Sequence, residues 1–210
     1  MEKIDTDPEE FILYKKRFFI VFLFAFSQFM ISVLLNTLNP IAAYLCMIYD
    51  QDPVVVNLGG LLFALMHPIF TFPASYVIDT FGTRVGIAIG CILGIVGVSL
   101  RMLINEAFLW VILGQVIAGI GRPFILNCQA KISANWFSAK TRGGVTQLLT
   151  LVLNVSLVVG ILIPGFVFKG YAPDEEDPGN IEHGKSVTFR LMAIETIMAA
   201  ICFLPNLLLQ

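Results

Sequence analysis

The chain has 210 residues, of which 57% are hydrophobic and only 13% charged, and its formal net charge is −2. Soluble globular domains carry about a quarter charged residues, so this composition excludes an ordinary water-soluble core. The slightly acidic balance provides no bulk positive charge for nucleic acid, and we expect no nucleic-acid partner.

Six long apolar runs are separated by short polar segments. Each run can cross a bilayer, which takes about 20 predominantly apolar residues, whereas a cleavable signal peptide would explain only one of them. The sequence therefore predicts an all-α membrane protein with a polar amino-terminal tail at 1–16 and a six-helix bundle at 17–210. The predicted transmembrane helices are 17–47, 55–78, 84–104, 108–132, 142–168 and 187–209.

Basic residues predict the orientation, because loops on the cytoplasmic side carry an excess of Lys and Arg. With the amino terminus inside, the basic residues on the inner side are Lys3, Lys15, Lys16, Arg17, Arg84, Lys131, Lys140 and Arg142. Those on the outer side are Arg101, Lys169, Lys185 and Arg190. This bias places both ends inside and an acidic loop at 169–186 outside. It leaves open which membrane holds the protein, whether the plasma membrane or an organelle such as the mitochondrial inner membrane.

The residue pattern contains little that is typical of an enzyme. The four cysteines lie in or at the end of apolar runs without metal-ligand spacing: Cys46, Cys91, Cys128 and Cys202. They are typical of small buried side chains. The sequence has no catalytic triad, phosphate-binding loop or Cys/His ligand cluster, so we expect no catalytic residue, metal site or cofactor.

Small residues and prolines predict how the helices pack. Gly86, Gly90 and Gly94 form a row at four-residue spacing, which lets two helices approach closely. Five prolines interrupt the apolar runs: Pro40, Pro68, Pro73, Pro123 and Pro164. Such interruptions bend helices, and in transporters the freed backbone can line a cavity.

The segment PASYVIDTFGTR, residues 73–84, joins the second and third predicted helices. Asp79 ends one helix, Gly82 permits a tight turn, and Arg84 opens the next helix. Asp79 can pair with Arg84 or cap an exposed helix amino terminus. An ordinary interhelical turn also favours glycine and charge, so both interpretations stay open.

This segment resembles the signature loop of the major facilitator superfamily. The matching positions are the small residue Ser75, then Asp79, Gly82 and Arg84. Thr80 and Thr83 stand where the family commonly has basic residues. The resemblance implies that the four matching residues form the loop that gates the inner side, and that the six helices are the amino-terminal half of a major-facilitator fold.

Within that superfamily the chain is most similar to the FLVCR-type transporters, which are associated with haem, choline and related solutes. Asn36-Thr37 and Pro40-Ile41 in the first helix match, as does much of the stretch from Gly114 to Phe137. The FLVCR type usually has a first-helix tryptophan near the substrate cavity, where this chain has leucines. An aromatic face binds a quaternary ammonium, so its absence argues against choline-like recognition.

Arg122 lies near the middle of the fourth apolar run, at a position that is often glutamine in the FLVCR type. An arginine inside a membrane costs at least ~2.5 kcal/mol and faces a cavity or a partner. It either binds an anion in a central cavity or pairs with backbone carbonyls or an acid, for which Glu195 has a suitable depth. His67 either titrates in a proton-coupled cycle or packs as a hydrogen-bonded side chain. We take Asn36, Gln115 and Arg122 as the candidate substrate-binding residues.

A major facilitator has two six-helix halves with the substrate between them, and this sequence supplies one. The first functional hypothesis is half of a secondary transporter that moves a small organic solute by alternating access. The bilayer and a second six-helix half, or a copy of this chain, would be its partners. The alternative is a transporter-derived accessory subunit of a larger membrane complex, without transport activity.

Overall fold

The computed structural model describes residues 16–171 and 178–209, and helices account for all the regular secondary structure in these ranges. Six segments are long and apolar enough to cross a membrane: Arg17–Tyr49, Pro53–Phe81, Thr83–Asn105, Leu109–Trp136, Ala139–Val167 and Gly179–Leu208. The predicted all-α fold with six transmembrane helices is therefore confirmed. The polar tail predicted at 1–16 lies, apart from its last residue, outside the described residues.

Eight α-helices build these six crossings. They are α1 Lys16–Asn36, α2 Ala42–Tyr49, α3 Pro53–Phe81, α4 Thr83–Arg101, α5 Leu109–Leu126, α6 Cys128–Trp136, α7 Ala139–Val167 and α8 Pro178–Leu209. Short 3₁₀ helices at Asn39–Ile41 and Met102–Asn105 follow α1 and α4. The first and fourth crossings are each made of two helices, and the other four contain one long α-helix each.

The break in the first crossing lies at Pro40. Proline lacks a backbone N–H and its ring clashes with the preceding turn, so α1 ends at Asn36 and α2 starts at Ala42. The segment 17–47, predicted as one helix, is thus interrupted. The fourth crossing changes from α5 to α6 at Asn127, shortly after Pro123.

The last crossing begins earlier than its hydropathy predicts. Helix α8 starts at Pro178 rather than at 187, and proline is well suited to a first helical position. Residues 178–186, predicted as part of an outer loop, are therefore helical. The helix extends into this polar segment because backbone hydrogen bonds do not require apolar side chains. The acidic residues 174–177 of the predicted loop lie outside the described residues.

Glycines set the closest contacts between helices. A Cβ added at Gly90 would lie 2.6 Å from Ile125 Cγ1 of α5, and one added at Gly94 would lie 2.7 Å from Phe203 Cε2 of α8. Helix α4 thus packs tightly along both neighbours, as the row of small residues predicts. The described helices α1, α7 and α8 form a second group of contacts, with α1 packed along the other two.

Buried polar groups join α1 to α8. The Asn206 side-chain amide donates to Leu23 O at 2.7 Å and to Ser27 Oγ at 2.8 Å. Ser27 also donates to Cys202 O at 3.3 Å. All four cysteines are free thiols, and three of them are buried, as their apolar surroundings in the sequence predict.

Candidate functional site

Helices α3 and α5–α6 run side by side in the same direction, and polar side chains follow their contact from one end to the other. We call this contact the α3–α5 seam. Its polar or charged members are His67, Thr71, Ser75 and Asp79 on α3, and Gln115, Arg122, Asn127 and Lys131 on α5–α6. Polar groups in a membrane face the interior of a bundle or a water-filled path. The seam therefore contains the polar groups that could contact a solute.

Gln115 lies at one end of the seam and is fully buried. A Cβ added at Gly59 of α3 would lie 3.9 Å from Gln115 Cγ and 3.8 Å from Leu38 Cδ1. Neither Oε1 nor Nε2 of Gln115 has a hydrogen-bond partner among the described residues. A buried amide without a partner costs about 1–3 kcal/mol, so this side chain has unused capacity to bind water or a ligand.

Arg122 follows Gly119 on α5, where α5 is very close to α3. A Cβ at Gly119 would lie 3.0 Å from Phe63 Cα. Arg122 is half-buried, and its Nε has no hydrogen-bond partner in the described part of the chain. His67 follows Met66 on α3, and a Cβ at Gly119 would also lie 3.1 Å from Met66 Cβ. The Nδ1 of His67 is likewise buried without a described partner, which does not fit a hydrogen-bonded packing histidine.

Glu195 pairs with Arg101, not with Arg122. Arg101 Nη1 of α4 lies 2.9 Å from Glu195 Oε2 of α8, and both side chains are fully buried. Arg101 Nη2 also donates to Thr37 Oγ1 at 3.2 Å, at the break after α1. Arg101, which counted among the outer-side basic residues, is therefore buried, and Glu195 is not the partner of Arg122, which was one of the alternatives left open. A similar depth in the membrane suggested that Glu195 could pair with Arg122, but α8, which carries Glu195, packs along α4, which carries Arg101.

Asn36 occupies a different helix pair from the other two candidate cavity residues. It is the last residue of α1 and is half-buried. A Cβ added at Gly160 of α7 would lie 3.3 Å from Asn36 Cβ. The structure thus places Gln115 and Arg122 on the α3–α5 seam and Asn36 beside α7.

Asp79, in the last turn of α3, forms an ion pair with Lys131 of α6. Lys131 also donates to Ile78 O at 3.3 Å. The pair between Asp79 and Arg84, one of the interpretations left open, is not formed, because α6 brings Lys131 alongside the end of α3 while Arg84 is exposed at the start of α4. Gly82 is the single residue between α3 and α4, and its φ of +91° requires glycine.

Ser75 is tied to the break in the fourth crossing. Asn127 Nδ2 donates to Ser75 Oγ at 3.0 Å and to Thr71 O at 3.2 Å. The sequence did not single out Asn127, and Lys131 entered only as an inner-side charge. Their four-residue spacing places both on one helical face, and that spacing is the signal that could have identified them.

The seam offers donors and charge rather than reactive groups. Within residues 16–171 and 178–209, no group of three or more His, Cys, Asp or Glu residues is placed to hold a metal ion. A row of amides, a guanidinium and an imidazole can bind a polar solute by hydrogen bonds and charge. Such groups can bind a polar solute and release it unchanged.

Comparisons with known proteins identify the family of the chain. The model of the Major Facilitator Superfamily matches residues 17–208. Solute carrier family 49 member A3 of Danio rerio is 24% identical over 205 residues, which cover 94% of this chain and 40% of that protein. The choline/ethanolamine transporter FLVCR1 of Mus musculus is 25% identical over 118 residues, 55% of this chain and 21% of that protein. The choline/ethanolamine transporter FLVCR2 of Homo sapiens is 21% identical over 146 residues, 69% of this chain and 27% of that protein.

The chain thus spans less than half the length of these curated relatives. The similarity to FLVCR-type proteins that the loop and the first and fourth helices suggested is confirmed, at low identity. Six apolar helices and a family match over almost the whole chain lead to one conclusion. The protein is an integral, multi-pass membrane protein that belongs to the major facilitator superfamily.

Proposed function

We propose that this chain is one six-helix half of a secondary transporter, which moves a small organic solute by alternating access together with a second six-helix half. The observation that carries the proposal is the α3–α5 seam, where the Gln115 amide and Arg122 Nε are buried without a hydrogen-bond partner among the described residues. A bundle with a purely structural role would gain stability by filling such positions with apolar side chains. A path for a polar solute instead needs polar side chains that are free to bind it.

The exposed helices support a second half. Of the six crossings, those formed by α3 and α7 bury the smallest share of their residues. Asn154, in the middle of α7, is exposed together with its apolar neighbours Leu151 and Val158. An amide at mid-membrane is unfavourable against lipid. It is satisfied if α7 faces another protein surface or a water-filled cavity.

The broken helices support the same proposal. Transporter sites are commonly built where membrane helices are interrupted, because the freed backbone and side chains can contact the solute. Asn36 ends α1 at the first break, and Asn127 lies at the second, on the same crossing as Gln115 and Arg122. We propose Asn36, Gln115 and Arg122 as substrate-binding residues and His67 as an additional one.

The test is the native size of the protein and its transport activity. The tagged chain is purified in mild detergent, its mass and partners are determined, and the purified material is reconstituted for uptake of small organic solutes. We expect a particle of about twelve helices, formed with a second half or a second copy, that catalyses uptake. The exposed face is checked with Asn154→Leu, which we expect to weaken this association, and with Leu148→Ile as its control on the same helix.

Two outcomes would contradict the proposal. One is a stable six-helix particle with no partner. The other is a large assembly of unrelated subunits without uptake activity, which would instead support the accessory-subunit alternative.

The pair between Asp79 and Lys131 gives a prediction about gating. We propose that it holds α3 to α6 at the inner end, as part of the loop formed by Ser75, Asp79, Gly82 and Arg84. Both side chains are partly exposed, and exposed ion pairs contribute about 0–1 kcal/mol. We expect Lys131→Met to change uptake severalfold while the melting temperature hardly moves. Lys140→Met removes an exposed charge nearby and should change neither quantity.

Equal uptake by Lys131→Met and Lys140→Met would show that the pair has no gating role. A large fall in melting temperature for Lys131→Met would show that the pair is structural.

A further inference from the structure

The charge on the α3–α5 seam bears on which solutes the proposed site can accept. Two ion pairs occur among the described residues: Arg101 with Glu195, and Lys131 with Asp79. Arg122 takes part in neither, and its side chain is half-buried. A cation without a counter-ion inside a membrane costs at least ~2.5 kcal/mol. The described residues supply no such counter-ion in an ion pair, so a bound anion would lower this cost.

His67, on the facing helix α3, does not neutralise Arg122, because an imidazole is either neutral or, when protonated, of the same sign. The remaining groups along this part of the seam are neutral: Thr71, Ser75 and Asn127, with Thr71 and Asn127 already engaged in hydrogen bonds. The middle of the seam therefore has a positive potential that no described residue cancels.

Two unpaired nitrogen atoms lie on the facing helices of the seam. Arg122 Nε on α5 is buried without a partner among the described residues, and so is His67 Nδ1 on α3. The two helices are close here, since a Cβ added at Gly119 would lie 3.0 Å from Phe63 Cα and 3.1 Å from Met66 Cβ. The Nε edge of a guanidinium presents two parallel N–H groups, which match the two oxygens of a carboxylate or phosphate. The imidazole adds a third donor when its proton is on Nδ1.

We propose that the solute carries a carboxylate or phosphate group, which binds between Arg122 and His67. This proposal deepens the proposed transport function, on which it rests for the role of the seam. It also sets this chain apart from its relatives named choline/ethanolamine transporters. Choline is a cation, and a fixed guanidinium would repel it at this position. Leu38, whose side chain lies near Gly59 at the same seam, provides no aromatic face for a quaternary ammonium.

The test is binding by the purified full chain with any partner that co-purifies, in lipid nanodiscs at fixed pH and ionic strength. The probes are succinate, inorganic phosphate and choline, each titrated by calorimetry. We expect succinate or phosphate to bind, and the one that binds identifies the anionic group. Choline should not bind. Arg122→Gln should weaken anion binding by about tenfold or more, since it removes hydrogen bonds to a charged group; His67→Gln should weaken it less.

Arg142→Gln is the matched control, because Arg142 is an exposed arginine at the start of α7. It should bind the anion as the wild type does. Folding of each variant is checked by its elution volume and its helical circular dichroism signal. Arg122→Lys provides a second variant, which keeps the positive charge but loses the two parallel N–H donors of the guanidinium. Binding of choline by the wild type, no binding of either anion, or equal anion affinity in Arg122→Gln would overturn the proposal. Anion binding without uptake would leave it standing and reject the transport function instead.

Discussion

Glu195→Gln is expected to lower the free energy of unfolding by about 3–5 kcal/mol, because it leaves the Arg101 guanidinium buried without its counter-ion. The two side chains lie 2.9 Å apart, and neither is accessible to solvent. Arg101→Met should cost less. The carboxyl group left behind can take up a proton and become neutral, whereas arginine stays charged. The measurement is thermal and denaturant unfolding of the purified chain in one detergent.

The double variant Arg101→Met/Glu195→Leu separates a missing charge partner from lost packing. Replacing both charges by apolar side chains removes the desolvation cost, so we expect most of the stability to return. Glu106→Gln is the control, since Glu106 is an exposed glutamate directly after the crossing that carries Arg101, and it should be nearly neutral. A double variant that is no more stable than Glu195→Gln, or a Glu195→Gln cost equal to that of Glu106→Gln, would contradict the assigned role.

The six crossings and the family could be predicted from sequence because both depend on local patterns. A membrane allows only helices that satisfy their own backbone, so a run of apolar residues is enough to predict a span. The loop proposed to gate the inner side is also a local pattern, since Ser75 and Asp79 near the end of α3 and Gly82 directly after it are close together in sequence. A disturbance of the first helix could be anticipated at Pro40, but the residue at which the helix ends could not, because a proline in a membrane helix can either bend it or interrupt it.

Pairings between helices could not be predicted in the same way. Arg101 stands at the polar end of its apolar run and entered only as an outer-side charge, yet α8 buries it against Glu195. Asp79 had Arg84 close in sequence, yet the ion pair forms with Lys131, fifty-two positions away. Which charges meet depends on helix neighbours and their rotation, and hydropathy carries no information on either. The helical start of α8 at Pro178 was missed for a related reason, since its first turns are polar.

Gly97→Ala is expected to destabilise the bundle by about 1–3 kcal/mol, as overpacking does in a filled core. A Cβ at this position of α4 would lie 2.6 Å from Gly114 O and 2.7 Å from Ala118 N of α5. These are backbone atoms, so relief requires the two helices to separate. Separation would also disturb Arg101, which lies one turn further along α4 and whose Cγ is next to Gly114.

Gly143→Ala isolates the effect of crowding from the effect of helix propensity. Gly143 lies in α7, and a Cβ there would meet nothing within 4 Å. Alanine favours a helix over glycine by about 1 kcal/mol, so this variant should raise the melting temperature while Gly97→Ala lowers it. The two changes in melting temperature have opposite signs because the same substitution is made in a crowded and in an open environment. Equal changes for both variants would rule out a tight α4–α5 contact. Because Arg101 depends on that contact, Gly97→Ala combined with Glu195→Gln should lose less than the sum of the two single losses.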